Sequence, residues 1–439
     1  MKDIGHNKSE LTISQQKAYK EILQFLESKH QFFRLSGYAG TGKSFLMGKV
    51  IEWLKAKKYS FAVASPTNKA AKNLQSLCHE QKVKVHVTTV AKLLKLQPVV
   101  NVETGNQEFL SKNLATDSLS DYEVVIIDEF SMLSRDNFKE IQQEITQTTT
   151  KIIFVGDEAQ LPPVNEKEPI IATTPEIKHF AVLSEIVRYD GDIVKVAEEI
   201  RSIPKWNSKI YPFETTTDKT IIKLSPERWL EKASKMFLTD LWKENADFGR
   251  IIAWRNKTVD LYNQIIRRAL YGEDVGEYVI GEILIAKKPA FRGTKRKKTI
   301  ILNNSEECKV TGAYKTEHNA KFNWDFYKVP VISDDGNPIE LRILTPEGEM
   351  QRQKKLQELA QQARETTEYN EKKKKWALFY ELDGLFDNIS YAYALTCHKA
   401  QGSSLDYVFL AVNDMQYCPD LQKILYTGLT RAKKNCFVC

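Results

Sequence analysis

The 439-residue chain has no apolar run of about 18 residues, the shortest that reads as a membrane-crossing helix, and its mean hydropathy is -0.42. A helical membrane protein is therefore not expected. Cysteine is scarce, with six residues at 78, 308, 397, 418, 436 and 439. Only Cys436 and Cys439 have CxxC spacing, and none of the seven histidines lies near them, so a four-ligand zinc site lacks its second half. Buried reduced thiols are the expectation. Charge of one sign is also in short supply: 64 basic residues against 57 acidic ones leave +7, compatible with a polyanionic partner without requiring one. The segment Met1 to Ser14 is polar and mixed in charge, unlike a signal peptide, which points to a cytoplasmic chain. What is present is a hydrophobic fraction of 42%, enough for a folded interior, in a chain whose length suggests about three domains.

The richest stretch is Ser36-Gly37-Tyr38-Ala39-Gly40-Thr41-Gly42-Lys43-Ser44, a match to GxxxxGK[ST]. Its setting fits, with an apolar strand at Phe32 to Leu35 before it and a helical run from Phe45 to Lys55 after it. Closely spaced glycines let backbone N–H groups of residues 37 to 44 face phosphate at a helix N-terminus. Lys43 can reach the β- and γ-phosphates of ATP, and the Ser44 hydroxyl can ligate Mg²⁺. Upstream, Leu11-Thr12 precedes a helical pattern, where the Gln15 amide could read an adenine edge or remain an ordinary surface group.

The continuous apolar strand Val124 to Ile127 runs straight into Asp128-Glu129. Asp128 can hold Mg²⁺ through water while Glu129 aligns and deprotonates the attacking water. A further strand, Ile152 to Val155, ends in a loop where Gln160 could sense the γ-phosphate. Phe61 to Ser65 is another parallel strand, and Pro66-Thr67 at its end could position a nucleic-acid phosphate or merely cap the next helix. Thr88 and Thr89 precede another short helix. Between Leu96 and Ser120 the pattern breaks around Glu103 to Gln107, as a projecting hairpin would, with Phe109 able to stack on a base or to anchor the hairpin.

The second half repeats strand and helix at Gly249 to Trp254 and from Arg255 onward, where Arg255 and Asn256 could touch DNA phosphate or serve as loop and cap. Between Leu270 and Ser390, short extended segments and one charged helix near Glu349 to Lys375 read as an inserted β-rich domain with a helical arm. The basic runs Lys295 to Lys298 and Lys372 to Lys375 are read as solvated faces.

Together these stretches resemble the superfamily 1 helicases of the 5′-to-3′ branch that contains the bacteriophage Dda-like and the RecD-like enzymes, most closely the Dda-like ones. The resemblance runs from Leu11-Thr12-Ile13-Ser14-Gln15 to Tyr426-Thr427-Gly428-Leu429-Thr430-Arg431-Ala432. It implies an α/β fold of two RecA-like P-loop NTPase domains: 1A over 1–180 with a pin hairpin 1B at 97–120, 2A over 181–269 and 390–439, and an SH3-like 2B insertion over 270–389. It further implies that Arg188 and Arg431 reach the γ-phosphate across the cleft. Thr396 and His398 would meet DNA, Gly402 would couple that contact to nucleotide, and Phe109 would act as a wedge. The family often has Thr-x-His where this chain has Thr89-Val90-Ala91, so Thr89 is kept as a candidate DNA contact and the contact of the missing histidine is not carried over.

The implied activity is an ATP-dependent helicase with ATP and Mg²⁺ as cofactors and single-stranded, tailed or forked DNA as partner. Replication or recombination proteins would be its associates, and the host-cell cytoplasm its setting if a phage encodes it. A monomer is expected, since one chain supplies both cleft walls. Competing readings are a translocase that strips bound proteins with little unwinding, an RNA-directed motor, and an ATP-gated nucleic-acid-binding scaffold.

Overall fold

The computed structural model describes residues 11–80, 85, 87–111, 118–185, 187, 191–203, 211–294 and 297–439. Two compact units divide the chain, one drawing on residues 1–96, 111–223 and 400–439, the other on 97–110 and 224–399. No helix among the described residues is long and apolar enough to cross a membrane.

Apolar strands covered on both faces build the first unit. Its six-stranded sheet holds β1 (Phe32–Gly37), β2 (Phe61–Ser65), β3 (Val87–Thr89), β6 (Val124–Ile127), β7 (Lys151–Gly156) and β8 (His179–Leu183). They lie in the order β3-β2-β6-β7-β1-β8 with every pairing parallel. Strand alternation sorts the core. Val63, Ile126 and Ile153 pack under α1 (Ile13–Glu27), α2 (Lys43–Ala56) and α3 (Asn68–Glu80), with Phe25, Leu46 and Leu74 opposite. Val125, Ile127 and Phe154 face α4 (Val90–Leu93), α5 (Arg135–Ile145) and α6 (Ile170–Thr173), where Phe138, Ile141 and Ile171 meet them.

A second parallel set in this unit pairs β20 (Leu405–Leu410) with β21 (Ala432–Val438) and β21 with β9 (Ile221–Lys223). Beside it lie α7 (Asp192–Ser202), α14 (Val412–Met415) and α15 (Leu421–Leu429). Helix α7 ends on Gln422 of α15, whose amide donates to the Ile200, Arg201 and Ile203 carbonyls at 2.8, 2.9 and 3.1 Å. These are carbonyls that the helix itself cannot satisfy.

The second unit contains the parallel pair β10 (Gly249–Ala253) and β19 (Ala394–Thr396), with α8 (Pro226–Phe237), α9 (Asp240–Glu244), α10 (Asn256–Tyr271) and the turn α13 (Cys397–Ala400). Its antiparallel sheet runs β15 (Lys315–Asn319), β16 (Trp324–Ser333), β14 (Glu307–Val310), β11 (Ile283–Ala286), β18 (Ile389–Tyr391), and β17 (Pro338–Leu344) also pairs with β16. Strands β12 (Ala290–Thr294) and β13 (Lys297–Leu302) form a separate ribbon. The insertion is fixed to β10 by a buried ion pair, Arg250 to Glu307 at 2.7 Å.

The charged segment expected as one helix is instead an antiparallel pair, α11 (Pro346–Glu365) and α12 (Tyr369–Asp383). The Glu368 carboxylate accepts the Asn370 and Glu371 N–H groups and starts the second helix, so the chain turns back at residues 366–368. Arg352 then meets Asp383 at 2.9 Å, and Lys375 meets Thr366 at 2.7 Å.

The hairpin is β4 (Leu96–Val100) and β5 (Gln107–Ser111), and its tip packs on these two helices. Val102 is buried with Ala363 and Trp376, the Tyr380 hydroxyl donates to the Gly105 carbonyl at 2.7 Å, and Glu103 pairs with Lys372 at 3.0 Å. Gly105 has a φ of +74°, and a Cβ there would fall 2.0 Å from the Trp376 ring. Only glycine fits both demands.

Candidate active site

Strand β1 delivers the phosphate loop to the carboxyl edge of the sheet, where open α/β sheets bind ligands. Gly40 and Gly42 take φ of 82° and 77°, left-handed values that free the loop to curl. A Cβ on Gly37 would lie 2.7 Å from Thr41 Oγ1. Thr41, itself buried, donates its N–H and its hydroxyl to the Tyr38 carbonyl at 3.3 and 2.8 Å. Lys43 Nζ donates to the Gly37 and Tyr38 carbonyls at 2.6 and 3.1 Å, so the loop holds its own lysine. Gly42 provides no side-chain cap for α2, which leaves the first N–H groups and Ser44 open to an anion.

Gln15 is buried and ties α1 to this loop. Its Oε1 accepts the Thr12 N–H and its Nε2 donates to the Thr41 carbonyl, both at 3.1 Å. The amide expected at an adenine edge is thus engaged with the loop itself.

Asp128 and Glu129 follow β6 directly. Burial first, then the neighbouring Glu129, pushes the Asp128 carboxyl up to about 7, with Lys43 acting in the opposite direction. Glu129 sits at φ 57°, a left-handed strain that turns it out of the strand direction, and its Oε2 is buried without a partner. Four further buried oxygens among the described residues lack partners at this edge: Ser36 Oγ near the end of β1, Ser65 Oγ ending β2, Ser131 Oγ beyond β6 and Gln160 Oε1 beyond β7. Orphaned buried polar atoms are costly, and their concentration at the ends of four neighbouring strands marks a site built for a polar ligand. The Ser44 hydroxyl and Asp128 carboxylate are hard oxygen donors suited to Mg²⁺, which is usually held by one or two carboxylates plus substrate phosphates.

The C-terminal elements of the same unit close on these loops. Leu161, next to Gln160, donates its N–H to Thr427 Oγ1 at 3.0 Å and accepts from Gln401 Nε2 at 2.8 Å. Arg431 is buried and donates to the Thr427 carbonyl at 3.0 Å, the Ser403 carbonyl at 3.2 Å and Thr430 Oγ1 at 3.1 Å. Gly402, at φ +74°, would place a Cβ 2.8 Å from the Ala70 Cβ, and its carbonyl accepts from Asn73 of α3.

The expected nucleic-acid residues fall in two groups. Pro66 and Thr67 follow β2, with Thr67 Oγ1 accepting the Ala70 N–H at 3.2 Å, and Thr89 caps α4 through the Lys92 N–H at 3.3 Å. In the second unit Asn256 is exposed at the start of α10, and Thr396 Oγ1 accepts the Lys399 N–H at 3.3 Å. His398 is held below its ordinary value by burial. Phe109 lies on β5. Arg188 lies outside the described residues.

Sequence reasoning missed four contributors. Asn73 lies on α3 beyond the Thr67 cap, Tyr426 and Thr427 open a motif read mainly for its arginine, and the Arg201 guanidinium lies 3.6 Å over the Tyr38 ring. Nothing in their local pattern announces these roles, although Tyr426 and Thr427 stood inside the matched stretch.

Residues 10–204 match the family described as AAA domain, and residues 391–439 match the UvrD-like helicase C-terminal domain. The chain is 27% identical to the ATP-dependent DNA helicase dda of Enterobacteria phage T4, over 98% of this chain and 99% of that protein. It is 26% identical to an uncharacterized protein of Acanthamoeba polyphaga mimivirus, over 96% and 98%. Among solved structures it resembles the Bacteroides Pif1 helicase in complex with ADP-AlF3 and ssDNA, at a TM-score of 0.53 and 17% identity, covering 98% of this chain and 92% of that one. That likeness supports two RecA-like domains. The match spans nearly all of both chains, from ahead of the phosphate loop to beyond Arg431, and makes this chain similar to the ATP-dependent DNA helicases of superfamily 1B.

Proposed function

We propose that this ATP-dependent DNA helicase travels 5′ to 3′ on single-stranded DNA and separates the duplex ahead of it. The observation that carries the reading is the gathering, in one unit, of the Lys43 loop, the Asp128-Glu129 pair, the Gln160 loop and the Arg431 turn around unpartnered buried oxygens.

In this reading the N–H groups of residues 37 to 44 and Lys43 hold the β- and γ-phosphates of ATP. A bound Mg²⁺, held by Ser44 and Asp128, supplies neutralisation of phosphate charge. Glu129, with an unpartnered buried oxygen, aligns the attacking water and takes its proton. Gln160 reads the γ-phosphate, while Arg431 and Arg188 stabilise the charge that grows in transfer. Arg431 exchanges acceptors of the preceding helix and of the Ser403 loop for phosphate oxygen as ATP arrives, and loss of the γ-phosphate returns it. Because Gln401 and Thr427 grip Leu161 beside Gln160, the same event reaches the loop that contains Gly402.

DNA contacts are assigned to Pro66, Thr67 and Thr89 in the first unit and, separately, to Asn256, Thr396 and His398 in the second, with the hairpin bearing Phe109 as the strand separator and the antiparallel sheet as an SH3-like 2B domain. The test is ATP turnover and strand displacement in parallel on matched duplexes with a 5′ or a 3′ tail. Preferential displacement from the 5′ tail supports the reading, whereas DNA-stimulated turnover without displacement points to a translocase.

A further inference from the structure

We infer that the Tyr426 hydroxyl is a positioning group for ATP hydrolysis, setting the place of Lys43 through one peptide plane of the phosphate loop. The peptide linking Tyr38 to Ala39 is gripped at both ends. Its carbonyl accepts from Lys43 Nζ at 3.1 Å, and its N–H donates to the Tyr426 hydroxyl at 3.2 Å. The same hydroxyl donates to Asp157 Oδ2 at 2.6 Å, and Asp157 Oδ1 accepts the Ala159 N–H at 3.0 Å, which shapes the loop that presents Gln160. One oxygen on α15 therefore joins the lysine loop to the Gln160 loop. Arg431 lies just beyond that helix.

Both partners of the bond are sealed from water: Tyr426 is 2% exposed and Asp157 fully buried. Burial first, and then the Asp157 carboxylate, holds the phenol well above its usual range, so it remains protonated and keeps its donor role. Arg201 over the Tyr38 ring restrains the same peptide from outside. A helix that shifts as nucleotide changes would rotate this peptide and move the lysine amine, which a bare packing contact could not do with equal direction. This role rests on the assignment of the chain as an ATPase and adds a residue to it.

The test is Tyr426→Phe, which retains the buried ring and removes only the hydroxyl. Under saturating single-stranded DNA, kcat for ATP should fall about tenfold or more, as loss of one positioning hydrogen bond allows. KM for ATP and the affinity for ADP should change by less than about threefold, because contacts made equally in ground and transition states are untouched. A kcat within twofold of the unsubstituted chain overturns the proposal while leaving the ATPase assignment intact. A parallel fall in kcat and ADP affinity, with a lowered unfolding temperature, also overturns it, since that is the mark of a merely structural tyrosine. Absence of turnover in the unsubstituted chain removes the ATPase assignment and this role with it.

Discussion

Gly105→Ala should uncouple strand separation from ATP turnover. The left-handed φ of +74° costs an L-residue roughly 1–2 kcal/mol. The new methyl meets the buried Trp376 ring at 2.0 Å, an overpacking that costs roughly 1–3 kcal/mol more. Against about 2–5 kcal/mol of strain stand one hydrogen bond from Tyr380, the small apolar cluster of Val102, Ala363 and Trp376, and an ion pair half open to water. Even the lower figure shifts the docked-to-undocked ratio by about thirtyfold. Hydrogen exchange over residues 97–110 should accelerate, because the hairpin tip is held from outside by these contacts. Strand displacement per ATP on forked DNA should fall several-fold, while DNA-stimulated turnover stays within about twofold because the catalytic loops belong to the first unit. Lys372→Ala, which removes only the ion pair, should leave displacement near the unsubstituted level, since such pairs contribute at most about 1 kcal/mol. Unchanged exchange in Gly105→Ala would refute the strain calculation. Faster exchange with undiminished displacement per ATP would refute the hairpin as separator.

Lys43→Ala and Glu129→Gln should each lower ATP turnover by about 100-fold or more, with the glutamine variant still binding ATP, as removal of a transition-state group requires; comparable turnover in either contradicts the assigned role, and nucleotide-binding fluorescence checks the retention. Glu307→Ala should destabilise the chain by about 3–5 kcal/mol in denaturant unfolding, because it strands the buried Arg250 guanidinium; replacing both partners by apolar residues should recover much of that loss. Lys399 is lowered to about 8 by burial first and by Lys287 beside it, against the pull of Asp260. Its folded value lies below its unfolded value, so the unfolded chain binds the extra proton between about 8 and 10.5, and stability should rise with pH across that window. After discounting for the partly exposed site, the gain is about 1–2 kcal/mol. Thermal unfolding of Lys399→Met across the same range should lack this rise.

How much of this was legible depended on the range over which each feature is encoded. Val124 to Ile127 and Phe61 to Ser65 match their strands residue for residue, because a strand covered on both faces has to be apolar throughout and that demand is local. The turn at residues 366–368 has neither glycine nor proline, and the charged helices around it are weakly patterned, so one helix was expected where Glu368 starts a second. The Gln15 amide was read as a group for an adenine edge and not as a tether to Thr41, since its partner is 26 residues away. The limit is clearest at Gly105 and Tyr426. A glycine in a polar turn looks like any hairpin glycine until Trp376 lies over it. A tyrosine opening a motif looks like core until its hydroxyl is found between Ala39 and Asp157. Chemistry that depends on residue type at fixed local spacing, as in the Lys43 loop and the Asp128-Glu129 pair, is written in the sequence. Coupling between such loops depends on contacts hundreds of residues apart, so the parts of this motor could be named from the chain while the linkage that makes them act together required the fold.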